Sequence, residues 1–451
     1  MNRSVTILLG VAAVAAVAAY PSMRGTKAVV HPGWSANHRF ILPNGWRLTP
    51  AGKTTPLPGD MPGNILVLKG GRRALVNTCG YHDHSLDLVD IPTGKVVQSI
   101  PFNRSWVGLA LNHKGEVLVS GGLGDGGNEA VHRISVGDRL TAERGFSLTG
   151  IQPKEQFVSS ILTIGDRTVL LNIQSDEVLL LDGAGHEIAR AKVGYRPFGA
   201  ALSPDGSTLA VSNWGDKSVT LLDSKTLRHK QTIRTRAMPS VLKYSPDGRL
   251  FVSESGSNTV AVIDGGMVKE RIRTGIDAKV PVGATPLGLA LSPNARTLYV
   301  ADAGNNCVTV IDVGRRGSSH VVGLIPTERY PTAAAVTPDG KDLLISTAKG
   351  YYGPNVISDK RAQEPRASRD YTGPYYMYIG QQLQGRLAIV KVPTAQELRR
   401  LTRLCYANRP KGVSAGPGEA VREQIQRGAF DKIKHVLLVI KENRSYDQVL
   451  G

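Results

Sequence analysis

Cysteine is scarce, with Cys79, Cys307 and Cys405 the only three in 451 residues. None has C-x-x-C or other metal-type spacing, which removes zinc-ribbon and thioredoxin-like chemistry, and the odd count leaves at least one thiol unpaired. The simplest reading is three small residues buried in sheets. Aromatic residues make up 6% of the chain, too few for the stacking platforms that hold single-stranded nucleic acid. Acidic residues are also short, 37 against 55 Lys and Arg, for a formal net charge of +18. Such an excess attracts anionic polymers. The basic residues are dispersed, however, the densest run in the middle of the chain being RHKQTIRTR at 228–236. An anionic envelope component or a phosphoester substrate is therefore a better partner than nucleic acid.

Long apolar runs are missing except at the start. Val5 to Ala19 is apolar but short of the roughly 18 residues that a spanning helix needs. With a basic start and Ala16-Val17-Ala18 before a Pro, residues 1–19 read as an export signal and 20–38 as a linker. An uncleaved anchor is the alternative. No Cys lies nearby to carry a lipid. The expectation is an extracytoplasmic protein, periplasmic or secreted, with no membrane span after cleavage.

What is plentiful is glycine, 50 residues, and an internal repeat. RPFGAALSPDGSTLAVSNWGDKSVTLLD (196–223) lies over TPLGLALSPNARTLYVADAGNNCVTVID (285–312) without a gap, and MPSVLKYSPDGRLFVSESGSNTVAVID (238–264) follows with one residue fewer. Weaker copies bring the number to seven, opened by Pro62, Trp106, Phe157, Pro197, Pro239, Pro286 and Pro331. S-P-D-G at 203–206 and 245–248, and T-P-D-G at 337–340, supply fixed φ and then positive φ for tight hairpin turns. The intervening runs are short and β-branched. A sheet of about four such strands cannot cover both faces alone, so the copies pack around an axis. The fold class is all-β, a seven-bladed β-propeller over 39–393. RFILPNGWRLTP (39–50) is expected to supply the outer strand of the last blade, and 349–380 to form a long loop on one face.

The LYVADAGNNCVTVID pattern and its copies resemble the YVTN-type β-propeller repeat family over roughly residues 40–392. That resemblance implies the fold and leaves the function open, since such rings are binding scaffolds for many purposes. Residues just before the innermost strands should crowd one mouth of the central channel. Arg196, Tyr330, Gln156 and Thr285 are the candidate ligand-binding residues there; the alternative is that they only plug the channel and space the blades. The propeller itself calls for no cofactor. GLGDGG (122–127) fits G-x-G-x-x-G but leads into β rather than a helix, so it lacks the dipole and amide donors of a phosphate cradle. HDH at 82–84 offers two imidazoles and a carboxylate without a third partner, and reads as a surface loop.

After the ring, 394–408 reads as a closing helix. Thr394 and Glu397 have capping-box spacing, and Leu398, Leu401, Leu404 and Cys405 form one apolar stripe. A linker follows at 409–428. HVLLVI (435–440) is apolar without alternation, as in a strand covered on both faces by helices. IKHVLLVIKENRSYDQVLG (433–451) resembles the opening motif of phosphoesterases of the alkaline-phosphatase superfamily related to phospholipase C and acid phosphatase. The resemblance implies that 429–451 is the first strand of an incomplete α/β phosphoesterase domain. It also implies that Glu442 and Asn443 are metal ligands. Their oxygen donors suit Mg²⁺, Mn²⁺ or Ca²⁺, with Zn²⁺ also allowed. The nucleophile lies beyond the sequence, so the expectation is an exported propeller–phosphoesterase that is a hydrolase at full length and inactive as this chain. The alternative is a non-catalytic extracytoplasmic binding propeller.

Overall fold

The Ser-Pro-Asp-Gly tetrads set the hairpins. At 203–206 the Gly206 amide donates to the Ser203 carbonyl at 2.9 Å with Gly206 at φ 71°, and Thr337 and Gly340 repeat the turn at 2.8 Å. In the computed structural model, which describes residues 33–34, 40–81, 84–122, 129–276, 283–350, 380, 383–410, 427–428, 431, 433–435 and 437, these hairpins build seven four-stranded antiparallel sheets and one three-stranded sheet. Blade four shows the unit: Pro197–Leu202, Thr208–Asn213, Ser218–Asp223 and His229–Arg234, in that order from the axis outward. The innermost strands touch one another in an unbroken circle, from Pro62–Val67 through each blade to Pro331–Val336 and back to the first.

The core lies between blades. Because strand side chains alternate faces, Leu250 and Val252 of the fifth blade join blade four in one cluster, while Phe251 between them joins blade six in the next. Near the axis, polar side chains latch each blade to the following one. Ser159 donates to the Pro197 carbonyl at 2.8 Å, Ser212 to Ser240 at 2.6 Å and Ser253 to Leu287 at 2.7 Å. Thr332 closes the circle with a bond to the Pro62 carbonyl at 2.6 Å.

Ring closure departs from the sequence expectation in one respect. The outer strand of blade seven does come from the N-terminal side, but it is Lys53–Pro56, paired antiparallel with Arg386–Ile389. The segment expected there instead forms a small separate sheet from Gly33–Trp34, Phe40–Ile41 and Arg47–Leu48. The physical reason is that an outermost strand is chosen by backbone pairing more than by apolar pattern. The alternating apolar residues Phe40, Leu42 and Leu48 then bury one another.

The helix forms over Ala395–Ala407, with both halves of the Thr394–Glu397 capping box present. Its stripe packs on the outer strand of blade six, His320–Pro326, where the Leu324 amide donates to the Thr402 hydroxyl at 2.9 Å. A Cβ at Gly323 would stand 2.5 Å from the Leu398 side chain, so glycine lets the helix approach. Thr394→Ala should cost about 1 kcal/mol of helix stability, read as a roughly fivefold loss of amide-exchange protection confined to 395–407. Unchanged protection would mean that packing alone holds the helix. Of the expected strand at 435–440, His435 and Leu437 are described, neither is in a strand, and Leu437 is 88% exposed.

Candidate functional site: the channel mouth

At the entry to each inner strand the chain must swing from the outside of one blade to the axis of the next. Five residues make that swing in the left-handed region: Met61 (φ 48°), Arg196 (58°), Met238 (57°), Thr285 (52°) and Tyr330 (65°). All are followed by proline. For residues other than glycine this conformation costs roughly 1–2 kcal/mol each. The neighbouring hairpin loop holds it in place, its amides donating to the Arg196, Thr285 and Tyr330 carbonyls at 3.0, 3.1 and 3.0 Å. Arg196, Thr285 and Tyr330 thus occupy one equivalent position in blades four, six and seven.

Gln156 does not share it. In blade three the residue opposite the end of the second strand is Val158, where blade four has Pro197, so the equivalent of Arg196 is Phe157, whose carbonyl accepts from the Ile173 amide. Gln156 is buried, and its amide bonds the Leu148 amide and the Leu148 and Ile151 carbonyls at 2.9, 2.9 and 2.6 Å. It pins its own loop.

Two cations stand at this rim on aromatic rings. The Arg196 guanidinium lies 5.2 Å from the Tyr195 ring centroid and donates to Gln174 Oε1 at 3.1 Å. The Lys349 ammonium lies 3.9 Å from the Tyr330 ring centroid. Burial, and then the Arg329 charge, hold the Lys349 pKa below the ordinary lysine range, while burial raises that of the Tyr330 phenol. Half-buried cations fixed on rings present positive charge at a defined place, an arrangement that attracts an anion.

Beneath the rim runs a belt of polar groups that the motif search passed over. The last residue of the second strand is Thr78, Asn172, Asn213, Glu254, Asp302 and Thr347 in six blades, every one fully buried. The signal was present in the aligned copies, which end VSN, VSE, VAD and IST. Glu254 accepts from the Thr259 hydroxyl at 2.6 Å and from the Arg236 amide at 2.7 Å. Both carboxylate oxygens of Glu328 accept from Arg386 Nε at 2.9 Å. Asp302 accepts from Thr309, and its Oδ1 has no hydrogen-bond partner; burial drives its pKa up to about 8.

The remaining candidates fall elsewhere. His84 Nδ1 accepts from the Ser105 amide at 2.7 Å and Nε2 faces the Gly80 carbonyl at 3.0 Å, so this imidazole ties two loops together. His82, Asp83 and 123–127 lie outside the described residues, as do Glu442 and Asn443. Among the described residues there is no group of three or more His, Cys, Asp or Glu placed to hold a metal, and no helix is long and apolar enough to cross a membrane.

Residues 156–369 match the model of the YNCE-like β-propeller family. The ring is similar to those propellers. The chain is also 24% identical to NHL repeat-containing protein 2 of Gallus gallus, over 59% of this chain and 41% of that protein, and 26% identical to a WD repeat-containing protein of Synechocystis sp., over 32% and 39%. It thus spans about two fifths of the length of these relatives. Among solved structures it resembles a chain of hydrazine synthase from Kuenenia stuttgartiensis, at 20% identity and TM-score 0.53 over 65% of this chain and 94% of that one. It also resembles streptogramin B lyase, at 13% identity and TM-score 0.51 over 75% and 98%. At these identities the likeness is one of fold. The architecture of this chain is a seven-bladed propeller with, among the described residues, one short α-helix near its C-terminal side.

Proposed function

We propose that the ring is the recognition scaffold of an extracytoplasmic, metal-dependent phosphoester hydrolase. The carrying observation is the segment KENRSYD after the ring, in which Glu442 and Asn443 bring two hard oxygen donors together behind an apolar run. Those donors fit a hard divalent cation, Mg²⁺, Mn²⁺ or Ca²⁺, and do not exclude Zn²⁺. Such an ion would polarise a phosphoryl oxygen. Arg196 and Lys349 at the rim and the net charge of +18 suit the same class of ligand, because they draw anions toward the mouth. Reading residues 1–19 as an export signal would put this activity outside the cytoplasm.

Full-length protein should hydrolyse p-nitrophenyl phosphate or bis(p-nitrophenyl) phosphate, lose the activity to a chelator, and fall to background with Glu442→Ala. Absence of hydrolysis with every one of the four metals would sink the proposal. The rim cations also favour a second reading, a non-catalytic propeller that binds an anionic envelope component. In that case an anionic polymer binds with steep salt dependence, weakened by Arg196→Ala with Lys349→Ala, and no phosphoester is cleaved.

A further inference from the structure

Of the three cysteines, two that stand 98 positions apart in the sequence (405 − 307) meet in space. Cys307 opens the third strand of blade six, Cys307–Asp312, and sits opposite Asp302 on one side and Pro326 on the other. Cys405 lies in the last turn of the helix, on its buried face. Both side chains are buried in one small cluster with Ile276 and Leu324, covered by Trp46. The two thiols are neighbours in this cluster, and the Cys405 thiol, followed by burial, holds the Cys307 thiol well above its usual range. Cys79 is apart from them, buried at the mouth of blade one with its thiol on the Met61 carbonyl at 3.1 Å. The odd count therefore resolves as one facing pair and one solitary thiol.

We propose that Cys307 and Cys405 form a disulfide that staples the C-terminal helix to blade six. The site is where three parts of the chain converge. Trp46 comes from the N-terminal sheet, and that sheet is tied to the helix end by the Arg47 amide on the Asn408 carbonyl at 2.9 Å and by Asn408 Nδ2 on the Thr49 hydroxyl at 2.8 Å. Among the described residues the helix is the last element, so a covalent bond here fixes the chain to blade six just before residue 409. A cross-link between residues so far apart in sequence also restricts the unfolded chain strongly.

The oxidant is a small-molecule or protein disulfide. One cysteine thiolate attacks it and releases a thiolate, leaving a mixed disulfide; the second cysteine attacks the protein sulfur and releases the other. One S–S bond breaks in the oxidant and one forms in the protein. The oxidant takes the two electrons, and the two protons lost by Cys307 and Cys405 end on its thiols. The Cys307 thiol, buried and with a raised pKa, is a poor nucleophile, and Cys405 is buried beside it, so the exchange runs while the helix is undocked, during folding or local opening.

The test refolds the protein in a mixture of reduced and oxidised glutathione, quenches with acid, denatures, and alkylates with and without prior reduction. Mass spectrometry should count one alkyl group without reduction and three with it. The Cys79→Ala variant should count none and two, and a non-reduced digest should join the peptides holding Cys307 and Cys405. Three groups in the unreduced wild type, or a bond that uses Cys79, overturns the proposal. Should Cys79→Ala fail to fold, the wild-type digest decides alone.

Discussion

Arg386→Met should destabilise the ring by about 3–5 kcal/mol, the usual result of removing one partner from a buried ion pair. Glu328 is fully buried, and Arg386 Nε lies 2.9 Å from both of its oxygens. The Thr347 hydroxyl also donates to Oε2, but over a long 3.3 Å. Without the guanidinium a carboxylate stays in a dry site. Arg386 also reaches Thr54 at 3.1 Å, and Thr54 belongs to the strand that closes the ring, so one side chain joins the entry of the inner strand, the third strand and the closing strand of blade seven. Replacing both Glu328 and Arg386 with Met should cost much less than the single change, because no charge is stranded. Blade five supplies the control: Arg271 meets buried Glu254 at 3.4 Å and is itself a third exposed, so Arg271→Met should cost less. Guanidinium unfolding midpoints measure all three, and a loss under about 1 kcal/mol for Arg386→Met would show that water or a rearranged loop compensates the charge.

That seam is also where the sequence was least informative. Seven copies, their turns and the capping box were legible because each rests on local chemistry, namely a Pro that opens the inner strand, a Gly at positive φ and a Thr–Glu pair three apart. KTTP at 53–56 carries no such signal. It is polar, exposed at both ends and defined only by a partner more than 300 residues away, whereas RFILPNGWRLTP has the alternation of a buried strand. Blade three slipped by one residue for a related reason: lacking the opening Pro, its repeat is anchored by Asn172, which receives the Phe157 amide at 2.7 Å.

The candidate site was legible as a set of positions and not as a set of environments. Alignment placed Arg196, Thr285 and Tyr330 at one equivalent point, but Lys349, whose ammonium sits on the Tyr330 ring, stands where blades four to six have Gly215, Gly256 and Gly304, so the other copies give no hint of a cation there. The buried carboxylates were hidden differently. Glu254 and Asp302 end strands that otherwise read as ordinary β-branched runs, and only the stacking of a neighbouring blade makes those ends dry. The Cys307–Cys405 contact depends on where a helix outside the repeat docks, which no spacing rule encodes.

Asp302→Asn should stabilise the ring increasingly as pH rises from about 4 to 8, and by a constant amount above that. Burial lifts the Asp302 carboxyl from an ordinary 3.8 to about 8, so folding binds a proton throughout that window. A group that binds more protons folded than unfolded makes stability fall as pH rises: the stability is fully present below the unfolded value and is lost up to the folded one. At about 1.4 kcal/mol per unit, the interval from pH 5 to 8 corresponds to about 3–4 kcal/mol. The neighbours explain why so little opposes the shift. Thr309 donates to Oδ2, Oδ1 has no hydrogen-bond partner among the described residues, and the Thr309 and Thr274 hydroxyls, which favour the ionised form, are outweighed by burial. No cation faces the carboxyl among the bonds and ion pairs of the described residues. Asn keeps the shape of the protonated acid and can still accept from Thr309, so it removes the titration and leaves the packing. Asp87, raised to about 6 by burial, has the same sign over a narrower window, and its effect cancels when variant and wild type are compared at each pH. Unfolding by urea at pH 5, 7 and 9 gives the difference directly. A difference that stays flat would mean that Asp302 is ionised in the folded ring with a compensating partner, as Glu254 is with Arg271.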